Sequence, residues 1–195
     1  FVYGNEEEGV KGCIRNGIDE KTANLIFDEM TDFARYAFNK SHAACYAVVS
    51  YQTAYLKYYY PKEFMAALMT SVMDNTAKVS EYILTCRQIM GIPILPPDIN
   101  EGDSGFTVSG NAIRYGLSAI KSVGKSVVET IVEEREKNGP FRTMDDFVER
   151  MSNKEVNRRT LENFIKAGAL DSLPGNRRQK CMAAPEMLEQ KNKEK

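Results

Sequence analysis

Apolar residues recur at the spacing of an α-helix through the first ninety residues, which predicts a series of helices. Asp19 is a candidate N-cap, and the apolar positions of the helix that follows it are Ala23, Ile26, Phe27, Met30 and Phe33. Ser41 is a candidate N-cap of a second helix, whose apolar stripe is Ala44, Val48, Tyr51, Tyr55 and Tyr58. We expect this tyrosine stripe to lie in a core.

Two further helices are indicated by breaking and capping residues. Pro61 suits the first position of a third helix, because the N–H that proline lacks would have no intrahelical partner there. Asn75 is a candidate N-cap of a fourth helix, which Gly91 ends. The glycine-rich start, Gly4–Gly17, is predicted to be a loop, and the rest of the first ninety residues a bundle of four helices.

The stretch Gly91–Gly105 interrupts the helical pattern with three prolines and three glycines. It is the strongest candidate for a domain boundary, which we place between residues 105 and 106. Beyond it, two β-prone runs flank Ser109–Asn111, a pattern typical of a β-hairpin. Short helices follow, one started by the capping-box pair Thr143 and Asp146, and another stopped by Gly168.

Charge is divided unevenly along the chain. Residues 1–110 hold 9 Lys/Arg and 14 Asp/Glu, a net charge of −5, whereas residues 111–195 hold 17 and 13, a net charge of +4. The second part is therefore the better candidate for binding a polyanion. The four cysteines contain no CxxC pair, which argues against a zinc site and a disulfide framework. With no signal-peptide pattern and no membrane-length apolar run, we expect a reduced cytoplasmic protein.

The stretch from Leu117 to Arg135 carries the most informative pattern of the second part. A short apolar helix, a turn around Gly124 and a second apolar helix resemble a helix-hairpin-helix motif. Without a Cβ, Gly124 would let the backbone approach a phosphate closely, and the N–H groups at the next helix start would receive its oxygens. Predicted DNA-binding residues here are Lys121, Ser122, Gly124, Lys125 and Ser126.

One residue of this hairpin departs from the usual motif, because Ser122 stands where a first glycine is common. The sequence therefore leaves the tight turn undecided, and a purely structural turn between two helices is the alternative. If DNA binds, backbone contacts of this kind position a duplex without reading its sequence.

A second candidate hairpin follows the predicted helix stop at Gly168. Its predicted DNA-binding residues are Gly175, Asn176, Arg177 and Arg178. The alternative is that the arginines are only solvated at an exposed helix start. With both hairpins, the predicted fold class is mainly α: a helical bundle, a small β-hairpin and a tandem helix-hairpin-helix domain.

The polar cluster Asn39, Lys40, Ser41 and His42 precedes an apolar, tyrosine-rich run. A cation and free N–H groups at a helix start suit a phosphate. Alternatively, Ser41 is only an N-cap and His42 only a packing residue.

Five stretches recur together, in this order, in one family of enzymes. They are FNKSHAACYAVVSYQTAYLKYYYPKEFMAALMT (38–70), ILPPDIN (94–100), IRYGLSAIKSVG (113–124), GPF (139–141) and NRRTLENFIKAGALDSL (157–173). They resemble the catalytic alpha subunits of bacterial DNA polymerase III, the family C replicative polymerases. The resemblance runs from about Gly9 to Arg178, and residues 33–37 depart from the glycine-containing version found in many members.

The resemblance implies that residues 1–105 are the C-terminal part of a polymerase fingers domain, and residues 106–195 its helix-hairpin-helix duplex-binding region. The cluster Asn39–His42 would then line the nucleotide and template side. The parent enzyme would perform template-directed DNA synthesis with Mg²⁺ in the bacterial cytoplasm, at the nucleoid. Its partners would be primer-template DNA, the incoming nucleotide, the other domains of the alpha subunit, and a sliding clamp and further replisome subunits bound outside this chain; no membrane is implied.

In that family the metal-binding carboxylates lie in the palm domain, upstream of the matched residues. No catalytic, metal-binding or cofactor-binding residue is therefore predicted in this chain, which we expect to be inactive alone. The acidic pairs Glu133-Glu134 and Asp145-Asp146 are predicted to be solvated on exposed helix faces.

Two other functions compete with this interpretation. One is a stand-alone helix-hairpin-helix DNA-binding or scaffolding module without enzymatic activity. The other, a DNA glycosylase of that motif, needs an aspartate after Gly-Pro, and Phe141 stands there after Pro140. We therefore reject the glycosylase.

Overall fold

The computed structural model describes residues 1–36, 40–151 and 156–193, which are mainly helical with a small sheet, as predicted. They form two compact units, Phe1–Ala54 and Tyr55–Lys195. No helix among the described residues is long and apolar enough to cross a membrane.

The first unit holds α1 (Gly12–Arg15), α2 (Glu20–Tyr36) and the start of α3 (Lys40–Tyr59). The predicted loop Gly4–Gly17 therefore includes a short helix. Asp19 caps α2 as predicted, because its carboxylate accepts hydrogen bonds from the Thr22 N–H at 3.0 Å and hydroxyl at 2.6 Å. These bonds lower the pKa of Asp19.

Two predictions about α3 are wrong. The helix begins at Lys40, so Ser41 lies inside its first turn and is not the N-cap. None of the twenty residues of α3 is buried, and Tyr51 and Tyr58 are 70% and 78% exposed, so the tyrosine stripe is not part of a core within the described chain. A helix with apolar residues on all its sides is typical of the interior of a larger protein.

The second unit begins with the end of α3 and continues through α4 (Pro61–Ser71), α5 (Thr76–Leu84) and a π-helical turn (Thr85–Ile89). Three local predictions are confirmed: Pro61 is the first residue of α4, the Asn75 side chain accepts from the Lys78 N–H, and Gly91 follows the last turn with a φ of +66°. All four predicted helices are thus present, although they are divided between the two units.

A three-stranded sheet packs against α4 and forms the first core together with α4 and α5. β2 (Thr107–Ser109) and β3 (Ala112–Arg114) are the antiparallel pair of the predicted hairpin. β1 (Ile94–Leu95) pairs in parallel with β3. The sequence did not predict this strand, because two residues are too few to show a strand pattern. The core residues are Met65, Ala66, Met69, Val79, Cys86, Ile92, Ile94, Phe106 and Ile113.

The proline-rich stretch 91–105 is consequently packed rather than an open linker. Ile92, Ile94 and Ile99 are buried, and the Ile99 N–H donates to the Ala169 carbonyl at 2.8 Å. The division into compact units falls at Ala54, whereas the functional boundary at residues 105 and 106 stays a prediction.

The remaining helices are α6 (Lys125–Asn138), α7 (Met144–Met151), α8 (Arg158–Ala167) and α9 (Arg177–Lys193). They enclose a second core. Its largest fully buried side chains are Ile99, Leu117, Ile131, Phe147, Met151, Leu161, Phe164, Ile165 and Leu170. The predicted caps are confirmed here too: the Thr143 hydroxyl accepts from the Asp146 N–H, and Gly168 ends α8 with a φ of +86°.

Arg150 of α7 holds the C-terminal end of α6. Its guanidinium donates to the Glu134 carboxylate at 3.0 Å and to the backbone carbonyls of Glu134 and Gly139, and it lies 4.3 Å from the centre of the Phe141 ring. Glu134 is only 7% exposed, so its predicted solvation is wrong. The reason is this ion pair, which joins residues sixteen positions apart.

In the other acidic pair, Asp145 is exposed as predicted, whereas Asp146 is half-buried. The Asp146 carboxylate accepts from the Arg142 N–H and lies 3.5 Å from Arg150.

Arg135 also holds α6 in place. It donates to the carbonyls of Ile99 and Gly102 and to the Asp103 carboxylate at 2.7 Å. These arginines fix α6 against the segments on both sides.

We expect Arg150→Leu to lower the free energy of unfolding by about 3 kcal/mol, because Glu134 would be left buried without its cation. Urea unfolding followed by circular dichroism measures this loss. The matched control is Arg158→Gln, which removes an exposed i,i+4 pair with Glu162 and should cost about 0.5 kcal/mol or less. Equal small losses for both variants would contradict the anchoring role of Arg150.

Candidate nucleic-acid interface

The first predicted hairpin is a tight turn between a 3₁₀ helix (Leu117–Ala119) and α6. Ile120 and Val123 are buried, and the Val123 N–H donates to the Ile120 carbonyl at 3.1 Å. Lys121 and Ser122, between them, are exposed. The apolar ends of the turn thus anchor it in the core and present its middle to solvent.

Ser122 adopts the conformation that a glycine usually takes. Its φ is +62°, and no other non-glycine residue in the described parts of the chain has a positive φ. The left-handed region costs a residue with a Cβ roughly 1 kcal/mol or more. The tight turn that the sequence left undecided is therefore formed in spite of the serine.

Gly124 precedes the first residue of α6 in an extended conformation, with φ −75° and ψ 148°. A Cβ built on Gly124 would meet only the Ser126 Oγ at 3.8 Å and the Val127 Cγ2 at 3.9 Å, which are ordinary contacts. Neither the backbone conformation nor packing against the described residues requires glycine here. The residue leaves an open surface at a helix start that has no side-chain cap.

Cations surround this turn. Lys121 is exposed, and the Lys125 side chain is 72% exposed and lies 3.6 Å from Glu129. Such an exposed i,i+4 pair is weak, so Lys125 can exchange its partner for an external anion. Ser126, in the first turn of α6, is also exposed. The structure thus brings all five residues predicted for this hairpin together on one exposed turn.

α8 contacts the turn with two side chains that the sequence analysis did not single out. The Asn163 Nδ2 donates to the Lys121 carbonyl at 2.9 Å, and the Arg159 Nη2 donates to the Ser122 Oγ at 3.2 Å. The first contact joins residues 42 positions apart in the sequence, and the second joins residues 37 positions apart. Because only the fold creates them, no local pattern could have indicated them.

The second predicted hairpin connects α8 to α9 and is closed by its own polar groups. Asn176 caps α9: its Oδ1 accepts from the Gln179 N–H at 2.9 Å, and its own backbone N–H donates to the Gln179 Oε1 at 3.0 Å. Gly175 has a φ of +89°. Lys180, which the sequence analysis missed, is 3% exposed and donates to the carbonyls of Leu170 and Leu173 at 2.6 and 2.7 Å.

Arg177 is engaged inside this hairpin. Its guanidinium donates to both Asp171 carboxylate oxygens, with Nε at 2.9 and 3.0 Å, and to the Lys166 carbonyl. The hydrogen bond from Arg177 lowers the pKa of the Asp171 carboxyl. Gly168, which precedes this hairpin, has a φ of +86°, a left-handed conformation that residues with a Cβ rarely adopt, and this explains the glycine. Arg178 is exposed and makes no hydrogen bond or ion pair with the part of the chain that the structure describes.

The polar cluster of the first unit is described only in part. Lys40, Ser41 and His42 are exposed in the first turn of α3, and the His42 ring lies 4.4 Å from that of Tyr46. Asn39 lies outside the described residues. Within the described parts of the chain, no cluster of three or more His, Cys, Asp or Glu side chains is arranged to hold a metal ion.

Comparison with known proteins gives one consistent family. A family model described as a helix-hairpin-helix motif matches residues 91–180, which include both hairpins. DNA polymerase III subunit alpha of Thermus aquaticus is 49% identical over 168 residues, 86% of this chain and 14% of the relative. The Vibrio cholerae subunit is 51% identical with the same coverage, and that of Chlamydia trachomatis is 48% identical over 174 residues, 88% of this chain and 14% of the relative.

These matches confirm the resemblance inferred from the motifs. The chain belongs to the family of bacterial DNA polymerase III alpha subunits, and it spans about a seventh of the length of the relatives that it matches.

Proposed function

We propose that this chain is part of a template-directed DNA polymerase, and that its second unit holds duplex DNA by the sugar-phosphate backbone. The observation that carries the proposal is Gly124, a glycine at the open start of α6 that no contact with the described residues requires. A side chain at this place would keep a phosphate away from the backbone. Its absence leaves the close approach that a hairpin–phosphate contact needs.

The physical basis of binding is the start of α6 together with its cations. The first N–H groups of a helix have no carbonyl partner within the helix, and the helix dipole places partial positive charge there. Both favour phosphate oxygens. Lys121 and Lys125 add attraction that weakens with salt, because binding releases counterions from DNA. Contacts of this kind carry no sequence information.

The second hairpin contributes differently. Arg177 is occupied by Asp171, so we assign it to holding the hairpin together. The Asn176 side chain likewise serves as the cap of α9. Exposed Arg178 and the backbone at Gly175 are the groups that would meet a phosphate.

In the first unit, we propose that Lys40 and His42, with Asn39 and Ser41, face the nucleotide and template of the whole polymerase. The exposure of Lys40 and His42 in the first turn of α3 supports this role. Mg²⁺ would be held by carboxylates elsewhere in the polymerase. The sliding clamp and other replisome subunits would bind outside this chain, in the bacterial cytoplasm.

We expect the chain to bind mixed-sequence duplex DNA with an affinity that falls steeply between roughly 50 and 200 mM salt and does not depend on base sequence. Fluorescence anisotropy of labelled duplexes measures both dependences. Gly124→Ala should lower the affinity several-fold at each salt concentration, because the methyl group displaces the phosphate while every charge remains. A wild-type affinity that did not change with salt, or that differed between sequences, would contradict the proposal.

The control for this variant is stability. The structure has room for a methyl group on the Cα of residue 124, so the free energy of unfolding should change by less than about 1 kcal/mol. Replacing Lys121 or Lys125 by alanine should instead reduce the salt slope by about 1 each. If Gly124→Ala bound as well as wild type while remaining folded, the hairpin would be structural only.

We also expect no primer extension by the 195-residue chain alone with Mg²⁺ or Mn²⁺. The reason is that two-metal nucleotidyl transfer needs carboxylates that align the metals, which the family resemblance assigns to the palm domain. A gel assay with a labelled primer-template and all four deoxynucleotides tests this. Extension that co-purified with the chain and persisted in repeated preparations would contradict it.

A further inference from the structure

Arg159 of α8 lies at the first hairpin without being part of it. Its Nη2 donates to the Ser122 Oγ at 3.2 Å, while the guanidinium remains on the exposed surface. One helical turn further, Asn163 donates to the Lys121 carbonyl. Residues four positions apart share one face of a helix, so a single edge of α8 lies along the turn. The buried residues Leu161, Phe164 and Ile165 fix α8 in the core.

Arg159 differs from the adjacent Arg158 in its ion pairing. Arg158 forms an ion pair with Glu162 at 2.9 Å, and Glu162 also pairs with Lys166 at 3.4 Å. None of the ion pairs among the described residues involves Arg159. A guanidinium has five N–H donors, of which one is used on Ser122, and its planar fork matches two phosphate oxygens. Arg159 therefore has charge and donors available at the turn.

Ser122 supplies the second observation. It keeps a left-handed backbone that a glycine would adopt without strain, and its hydroxyl accepts the bond from Arg159. Strain retained at one residue is often associated with function. A glycine would form the same turn but would leave Arg159 without this partner.

We propose that Arg159 is a third cation of the phosphate site formed by the first hairpin, and that the Ser122 hydroxyl holds it there. The ligand is a backbone phosphodiester of duplex DNA next to the one received at Gly124. The inference rests on the proposed function, because it assigns further residues to the same duplex-binding surface. α8, the first helix of the second hairpin, thereby contributes to the site of the first.

Duplex anisotropy titrations of Arg159→Gln, with Arg158→Gln as the matched control, test the proposal in the 195-residue chain. Arg159→Gln should reduce the salt slope by about 1, so that the affinity lost between 50 and 200 mM salt shrinks roughly three- to fourfold. Arg158→Gln should leave the slope within error of wild type, because the Arg158 guanidinium bonds to Glu162 on its own helix and makes no hydrogen bond to the described residues of the hairpin turn. Arg159→Lys should keep the slope and bind more weakly, since a single ammonium cannot make the forked contact.

Ser122→Gly tests the positioning role. It should weaken DNA binding in the wild-type background and have no further effect in the Arg159→Gln background. Equal losses in both backgrounds would overturn the role of Ser122. If Arg159→Gln bound with the wild-type slope and affinity, the inference would fail while wild-type binding still supported the proposed function; if wild type bound no duplex at low salt, both would fail.

Discussion

The position of α6 in the second unit depends on the hydrogen bonds that Arg150 donates to groups at the C-terminal end of this helix. One guanidinium neutralises the buried Glu134, donates to the carbonyls of Glu134 and Gly139, and stacks on Phe141. A buried carboxylate without such a partner is strongly unfavourable, so this arrangement permits few alternatives. Because α6 is a rigid rod, fixing its C-terminal end against α7 also fixes its start. The start of α6 is where the hairpin turn and its open glycine lie.

The second core also supports the turn at the proposed DNA contact. Ile120 and Val123 anchor the turn from below, and α8, held by its own buried face, contacts the turn from the side through Asn163 and Arg159. The exposed groups therefore need little rearrangement to meet a phosphate. The second hairpin is stabilised internally, by Lys180 on its carbonyls and Arg177 on Asp171, and so offers fewer free groups.

The features that the sequence predicted correctly are local. Caps at Asp19, Asn75 and Thr143, the stop at Gly168 and the β-hairpin each depend on residues within a few positions of one another. The two helix-hairpin-helix turns were also predicted correctly, from their resemblance to family motifs. Burial was predicted poorly: the tyrosines of α3 are exposed because the described chain has no apolar surface that covers them, and Glu134 is buried because a distant arginine pairs with it. Likewise, the engagement of Arg177 and the approach of Arg159 follow from folded geometry alone.

The most direct test of the account is an NMR titration of the ¹⁵N-labelled chain, 22.0 kDa in mass, with a short mixed-sequence duplex at low salt. We expect the backbone amides of Gly124, Lys125 and Ser126 to shift most, since their N–H groups would receive the phosphate. Amides at the tip of the β-hairpin, around Gly110, should shift least. Saturating duplex that left residues 124–126 unchanged while shifting signals elsewhere would contradict the central claim.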